Sequence, residues 1–344
     1  MDALTWIHAN ERMEELRILP LMDGADMQVD VSTKSALIDN TWSITVPESV
    51  WEQNPIRQGH YIYSPGTEWG GPVTVINHNT GAKQITLQGP TWRGQMYQKF
   101  ISPNAGEDYL VFTNIDANEL VRRVLGSVFG SLYTVTDEAA GVLVSASYRY
   151  QTMAQGLQNT LRGYGMRLDV VFDNVSGHVI LSAAPTDTLT EEIEISQDYG
   201  VDFSTSIGNI EFANHCLALG SGELAQRMVA NVYRTENGYS TTRPAAMTDA
   251  EIRTVKLEYP NAESLEELVK SAIETLEGKA PAQAVKVNAL TIGLDAHLGD
   301  VLAVRDRVTG LAAQAEIVNK ILTVTDGRMK IDMMVDTIST NLDE

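Results

Sequence analysis

The chain has 344 residues, of which 43% are hydrophobic and 20% are charged. These proportions are typical of a folded globular protein, and the length exceeds what one hydrophobic core usually organises, so two or three domains are expected. Lys and Arg number 25 against 45 Asp and Glu, which gives a formal net charge of −20. A chain this acidic is not expected to bind nucleic-acid backbones broadly, because such binding needs clustered cations.

The cysteine content and the apolar segments of the sequence argue against disulfides, a membrane span and the usual export signal. The single cysteine, Cys216, cannot form an internal disulfide, and no array of Cys and His ligands surrounds it. No apolar run approaches the roughly 18 residues of a membrane span. Residues 1–16 carry acids where a secretory signal would carry Lys or Arg and then an apolar run. The sequence therefore predicts synthesis in the cytoplasm, without a membrane span or the usual export signal.

The first hundred residues are predicted to form short strands, because apolar and polar residues alternate between clusters of turn formers. The predicted strands are 29–32, 42–46, 60–63, 73–76 and 84–88. Strands at this spacing are typical of an antiparallel barrel or sandwich. No helix is predicted between about 24 and 115, so this part is interpreted as a β domain.

Helical spacing begins near residue 114. Asp116 can cap a helix whose apolar face would comprise Leu120, Val121, Val124, Leu125 and Val128. A strand at 141–150, a helix capped by Thr152, and a hairpin of 166–172 with 178–183 follow. This order predicts a small α+β module over about 115–185.

A β pattern returns from about 193, with predicted strands at 201–206, 210–219 and 226–233. The clearest helix signal of the chain then begins at Ser264, which opens a capping box with Glu267, and it ends at Gly278. Its predicted inward face comprises Leu265, Leu268, Val269, Ala272, Ile273 and Leu276. Strands resume at 284 and continue to the end.

The two β regions share a pattern of Gly, strand, loop, strand, Gly-containing turn and strand, at 59–88 and at 299–333. A true duplication would explain it. A chance match is also open, because β-meanders are common in barrels.

Catalytic motifs with a defined spacing are missing from the sequence: there is no GxSxG, GxxxxGK[ST], HExxH or EF-hand pattern. The six histidines are scattered, with no pair at i, i+4. His215 and Cys216 are neighbours in a predicted strand and would point to opposite faces, so they cannot pair as base and nucleophile. Cys216 is expected to be a small buried hydrophobe. No catalytic, cofactor-binding or metal-binding residue is predicted.

Residues 220–225, GSGELA, fit the GxGxxA dinucleotide fingerprint. That fingerprint requires a following helix, whereas residues 226–233 resemble a strand in antiparallel surroundings. A glycine-rich hairpin turn is therefore favoured over a nucleotide site.

The five tryptophans all fall within the first 92 residues: Trp6, Trp42, Trp51, Trp69 and Trp92. Core or interface packing is favoured for them. A platform that binds sugars is the alternative.

Four segments resemble the hub proteins of bacteriophage tails, which lie at the tail tip or baseplate. They are 88–96 (QGPTWRGQM) followed by 100–103 (FISP), the module at 148–184, the run 214–227 (NHCLALGSGELAQR), and 298–306 (LGDVLAVRD) with the strands after it. In the third segment Leu224 stands where the family has glycine.

The resemblance implies an α+β, mainly β fold with two tail-tube-like antiparallel β-barrels and inserted small α+β modules. The expected divisions are 1–110 for the first barrel, 111–190 for the inserted α+β module, 191–250 with 284–344 for the second barrel, and 251–283 for a helical insertion. It also implies a homotrimer with six barrels in a ring. This ring would join the sixfold tail tube to the threefold host-recognition or spike complex and would line the DNA exit channel.

The partners implied are further copies of the chain, a distal tail or tube protein, tail fibre, spike or receptor-binding proteins, and the tape-measure protein. The expected location is the virion, with no membrane, no cofactor and no sequence-specific nucleic-acid binding. A structural role without catalysis is favoured. A carbohydrate- or receptor-binding tail module is the alternative, and a cell-wall hydrolase comes third. The acidity would repel DNA if it lined the channel, but an outer-wall position is equally open.

Overall fold

A computed structural model describes residues 4–19, 25–33, 39–189, 194–195, 203–207, 211–235, 238–279, 283–290, 296–306, 308–325 and 327–342. The chain divides into two compact units, which are Met1–Ser204 with Val285–Glu344, and Thr205–Ala284. Strands make up 45% and helices 17% of the structure. The mainly β, α+β fold class is thereby confirmed, while the four-module division stays a prediction.

The strands in chain order are β1 Trp6–Ala9, β2 Glu15–Leu19, β3 Asp26–Ser32, β4 Thr41–Pro47, β5 Tyr61–Tyr63, β6 Gly70–Pro72, β7 Val75–Asn79, β8 Gln84–Pro90, β9 Phe100–Ile101, β10 Leu110–Asp116, β11 Tyr133–Val135, β12 Leu143–Tyr148, β13 Gln151–Thr152, β14 Met166–Asp173, β15 His178–Pro185, β16 Glu194–Ile195, β17 Phe203–Ile207, β18 His215–Leu219, β19 Val229–Thr235, β20 Gly238–Ser240, β21 Thr254–Glu258, β22 Gln283–Leu290, β23 Val301–Asp306, β24 Leu311–Thr325 and β25 Arg328–Leu342. The helices are α1 Glu48–Gln53, α2 Trp92–Tyr97, α3 Ala117–Leu125, α4 Met153–Arg162 and α5 Leu265–Glu277. Of the strands predicted at 201–206 and 210–219, residues 201–202 and 210 lie outside the described residues.

One ten-stranded sheet joins the two β regions, in the order β17-β22-β25-β24-β3-β4-β8-β7, with β23 and β16 branching from β24. The long strand β24 makes the connection. One of its edges pairs with β23 over 311–316 and with β3 over 319–325, while the other edge pairs with β25. Through β24, strand pairing in the described residues joins the two β regions in one continuous sheet.

A single hydrophobic core serves both β regions: Trp42 and Leu87 of the first contact the same cluster as Ile317 and Leu322 of the second. A four-stranded sheet, β2-β1-β5-β6, also contributes to it. The end of β6 crosses the end of β8 so closely that a Cβ on Gly71 would lie 2.0 Å from the Pro90 carbonyl oxygen. Glycine is needed at this corner because no side chain would fit.

The α+β module packs α3 and α4 against the three-stranded sheet β11-β15-β14. The predicted hairpin is confirmed, since β14 and β15 pair in continuous register from Met166 with Pro185 to Asp173 with His178. Both predicted caps are also present: the side chains of Asp116 and Thr152 accept hydrogen bonds from backbone N–H groups of α3 and α4.

Val128 was expected on the inner face of α3, and this expectation is wrong. The helix ends at Leu125 because Gly126 takes a left-handed conformation with φ +50°. Val128 lies beyond the helix and is 48% exposed.

The absence of helix between about 24 and 115 is likewise a wrong expectation, because α1 and α2 lie there. Each has six residues, too few to show a helical period in the sequence. Helix α2 depends on Thr91, whose Oγ1 accepts a hydrogen bond from the Gly94 N–H at 3.1 Å.

The second unit packs α5 on one face of the sheet β20-β19-β18-β21. Its predicted cap is confirmed, since Ser264 Oγ accepts a hydrogen bond from the Glu267 N–H. Leu268, Ala272 and Leu276 are fully buried. The inward position predicted for Leu265 is wrong, because the line of contact with the sheet runs along the three buried residues and leaves Leu265 53% exposed.

Candidate functional site

The neighbours His215 and Cys216 point to opposite faces of β18, as predicted. The His215 ring lies 2.9 Å through Nδ1 from Thr254 Oγ1 and 3.0 Å through Nε2 from Asn231 Oδ1. Cys216 is fully buried against α5, and burial raises the pKa of its thiol. A protonated, inaccessible thiol is a poor nucleophile, so Cys216 serves packing.

The glycine-rich segment 220–225 is a hairpin connection. Strands β18 and β19 are antiparallel, and the Gly220 N–H donates to the Met228 carbonyl at 2.8 Å to close the turn. The segment that follows is one short turn of 3-10 helix, Leu224–Gln226, and then β19. A dinucleotide fingerprint needs a full helix there, so the predicted turn is confirmed.

Changing Gly222 to Ala should destabilise the second unit by about 2 kcal/mol. Gly222 has φ +94°, and a Cβ there would lie 2.5 Å from the Gln226 carbonyl oxygen. Gly238→Ala is the matched control, since Gly238 has φ +115° but nothing within 4 Å of the added carbon. Its cost should be about 1 kcal/mol, from the backbone alone. Urea titration of both variants measures the difference.

The same turn predicts that NAD, FAD and ATP produce no saturable shift in the melting temperature of the full chain. A shift of several degrees with any of them would contradict the turn interpretation.

Tryptophan packing follows the favoured prediction. Trp6, Trp42, Trp69 and Trp92 are each no more than 5% exposed, and Trp51 is half-buried. Rings enclosed in this way cannot present a flat face to a sugar, so the observation that motivated a carbohydrate site no longer favours one.

Charged residues are buried where the α+β module meets the second β region, around Arg167. Its Nη1 donates to Asp300 Oδ1 at 2.5 Å and to Asp187 Oδ2 at 3.2 Å, and its Nε donates to Asp169 Oδ1 at 3.0 Å. Asp300 is 1% exposed and also accepts from the backbone N–H of His297 at 2.7 Å.

The ionisation of this cluster is set by competing effects. Burial alone would raise the pKa of Asp300, but hydrogen bonds from His297 and Asp187 and the charge of Arg167 outweigh it and hold that pKa below its ordinary value. The hydrogen bond to Asp300 raises the pKa of His297. Such an ionised, fully hydrogen-bonded carboxylate acts as a cross-link between the module and the β region.

Two further ion pairs involve the module: the first joins it to the second β region, and the arginine of the second, which lies in the first β region, reaches the module through a hydrogen bond. Arg162 Nη2 lies 2.6 Å from Glu316 Oε1, and Arg93 Nη2 lies 3.2 Å from Glu68 Oε2 while also donating to a backbone carbonyl of β14. A cavity of about 480 Å³ beside Arg93 carries mixed charges on its walls. Within the described ranges, no three His, Cys, Asp or Glu residues are placed to hold a metal ion. No helix among them is long and apolar enough to span a membrane.

Two histidines form a buried pair beside the four-stranded sheet: His8 lies in β1, and His60 directly precedes β5. His8 Nε2 lies 2.8 Å from His60 Nδ1, and His60 Nε2 lies 3.6 Å from Glu11 Oε2. Burial, then the charge of Arg17 and the His60 ring, lower the pKa of His8 from 6.5 to about 4. The second ring nitrogen of His8 has no partner among the described residues, so an added proton would be buried without an acceptor.

Acid should therefore destabilise the protein through His8. Because its pKa is lower in the folded state, its contribution is complete above pH 6.5 and is lost as the pH falls toward 4. Integrated over that window the loss is about 3 kcal/mol. Urea titrations between pH 7.5 and 4.5 should show a steeper fall for the wild type than for His8→Gln, which has no titrating ring. Parallel curves for the two proteins would show that His8 is not the titrating group.

Comparison with known proteins bears on the fold. No family model matches the chain, and no curated protein matches it significantly. Among solved structures, it is similar to the 43 kDa tail protein of prophage MuSo2 from Shewanella oneidensis, at 13% identity over 96% of this chain and 98% of that chain, with a TM-score of 0.51. It is also similar to the prophage tail protein gp18 from Listeria monocytogenes EGD-e, at 12% identity over 97% and 94%, with a TM-score of 0.50. The chain has the fold of phage tail proteins.

That fold likeness confirms the resemblance read from short motifs in the sequence. The structure also shows buried polar contacts that the sequence did not reveal. Arg167, Asp300 and the His8–His60 pair were not singled out, because their partners lie 133 and 52 residues away along the chain. Only the pattern of glycine before each β region, at Gly59 and Gly299, pointed near them.

Proposed function

We propose that the chain is a structural hub of a phage or prophage-derived tail, placed at the tail tip or baseplate. The observation that carries this proposal is the extent of the fold likeness: it covers at least 94% of this chain and of each of the two prophage tail proteins. A likeness along the whole length is what a shared architecture would produce, whereas a shared module would cover only part.

The hub is a homotrimer in this proposal, with two β units from each chain forming a ring of six. Support comes from matching strand connections in the two β regions. In the first region, β5 pairs antiparallel with β6, and β7, which follows β6, pairs antiparallel with β8. In the second region, β23 pairs antiparallel with β24, and β24 pairs antiparallel with β25 along its whole length. Three such pairs would match a sixfold tube above and a threefold complex below.

The proposed role is mechanical, without catalysis. The ring joins the tail tube to the host-recognition or spike complex and lines the channel through which DNA leaves. Its partners are the distal tail or tube protein, the fibre, spike or receptor-binding proteins and the tape-measure protein. The net charge of −20 suits a channel wall that must not retain a polyanion. The location is the virion.

Deleting the gene from the phage or prophage and labelling the wild-type particles with antibody tests this. Gold label should lie at the tail tip, and the deletion should give particles without a functional tail. Quantitative mass spectrometry of purified tails should give three copies per particle. Label along the tube, complete infectivity of the deletion, or six copies per particle would overturn the corresponding part of the proposal.

A further inference from the structure

Helix α5 carries a second apolar stripe beside its buried one. The stripe consists of Leu265, Val269 and Ile273, spaced four residues apart, so the three side chains follow one another along the helix surface. Leu265 is 53% exposed, and Val269 and Ile273 are half-buried at the margin of the core. Apolar side chains in line on a helix surface normally pack against another element.

These side chains form the floor of a groove of about 620 Å³ within the second unit. Its lining, called here the α5 groove, is Thr241, Leu265, Glu266, Val269, Lys270, Ile273, Glu274 and Glu277. The lining residues on α5 extend from Leu265 to Glu277. The floor of the groove is therefore about 18 Å long, enough for roughly three turns of another helix. Three carboxylates and one ammonium on the margins leave a net charge of −2.

The groove is preformed. The helix beneath it is capped by Ser264, and its last turn is held by Arg234, whose Nη2 donates to the Leu276 carbonyl at 2.5 Å. The hydroxyl of Tyr259 donates to Glu267 Oε1 at 2.7 Å near the first turn. A surface already fixed in this way loses little conformational entropy when a partner binds.

We propose that the α5 groove binds an amphipathic helix of a partner protein, with apolar residues along one side and Lys or Arg beside them. The apolar stripe supplies the contact that helix-in-groove recognition uses. The acids Glu266, Glu274 and Glu277 on the margins select a basic partner by charge complementarity. This inference goes beyond the tail role and does not depend on it.

Charge also argues against other occupants. A second copy of the chain would bring another net charge of −20, and a symmetric contact would place the same acidic margins against each other. Nucleic acid and anionic lipid surfaces carry the same sign of charge as the margins. A basic helix is the partner that avoids these repulsions while covering the stripe.

The test uses a designed 18-residue peptide with leucines on one side, lysines beside them and a fluorescent label. Anisotropy is measured against the full chain at physiological salt, since exposed charges are only partly screened there. Saturable binding is expected. It should weaken at least tenfold for Leu265→Asp, for the double variant Glu274→Lys with Glu277→Lys, and for a peptide with glutamates in place of the lysines.

Glu258→Lys is the control variant, because it makes one Glu-to-Lys change of the same kind on β21, outside the groove lining. It should alter binding less than twofold. Thermal unfolding and circular dichroism of each variant should match the wild type, since all the changed residues are exposed. Absence of saturable binding, equal binding of the glutamate peptide, or unaltered binding by Leu265→Asp overturns the proposal. The proposal would also be overturned if the wild type dimerised and Leu265→Asp abolished the dimer, because a second copy of the chain would then occupy the groove.

Discussion

Replacing Leu268 with Asp is expected to lower the stability of the second unit by about 5 kcal/mol, enough to unfold α5. Leu268 has no exposed surface and lies at the centre of the core between α5 and its sheet. A Cβ added to Gly220 would come within 3.1 Å of its Cδ2 atom, which shows how closely the sheet side approaches. The variant loses this packing and places a carboxylate inside an apolar core.

Amide hydrogen exchange measures this loss residue by residue. The N–H groups of 265–277 should exchange at rates near those of an unfolded chain in Leu268→Asp. Leu265→Asp on the same helix is the matched control, since Leu265 is 53% exposed, and its cost should stay below about 1 kcal/mol. Equal protection of α5 in the wild type and in Leu268→Asp would show that this face is not buried.

Helix α5 also illustrates what the sequence can decide. The start of α5 is determined by the local sequence, because Ser264 and the residues just after it form the cap. The local sequence does not determine which apolar residues of α5 face inward. Leu265, Val269 and Ile273 form one stripe and Leu268, Ala272 and Leu276 form the next, so the helix could pack through either. The sheet beneath it makes the choice, and the remaining stripe becomes the floor of the α5 groove.

Strand pairings likewise differ in whether the local sequence determines them. The hairpin of β14 and β15 was predictable because its strands are joined by a short turn after Asp173. The pairing of β24 with β3 was not, since it brings Asp26 to Thr325 across most of the chain. The sequence of neither strand specifies its distant pairing partner, and the alternating patterns of both strands are compatible with several pairings. The ten-stranded sheet is therefore visible only in the tertiary structure.

Charged residues were the least predictable part of the molecule. In the sequence Arg167 and Asp300 are ordinary surface-type residues, and only the structure shows that Asp300 is 1% exposed. Burial changes their energetic role, because a buried pair is costly to break while an exposed pair contributes little. This difference can be measured directly.

Arg167→Met is expected to cost about 3 to 4 kcal/mol, because it leaves the Asp300 carboxylate buried without its cation. Arg123→Met is the control: Arg123 pairs with Glu119 at 2.8 Å, but its side chain is 55% exposed, so the cost should be below about 1 kcal/mol. Urea denaturation at pH 7 measures both. Adding Asp300→Asn to Arg167→Met should recover part of the loss, since the orphaned charge is removed.

The pH dependence of the stability difference is an independent test of the same prediction. The pKa of Asp300 is held below 3.8 in the folded protein, so its stabilising contribution is present above that pH and is lost as the pH falls through the folded value. In Arg167→Met the pKa of Asp300 should rise, because burial remains and the guanidinium is gone. The stability gap between wild type and variant should therefore narrow as the pH is lowered from 7 toward 3. A gap that stays constant over this range, or a loss at pH 7 no larger than that of Arg123→Met, would show that the Arg167–Asp300 pair does not hold the α+β module to the second β region.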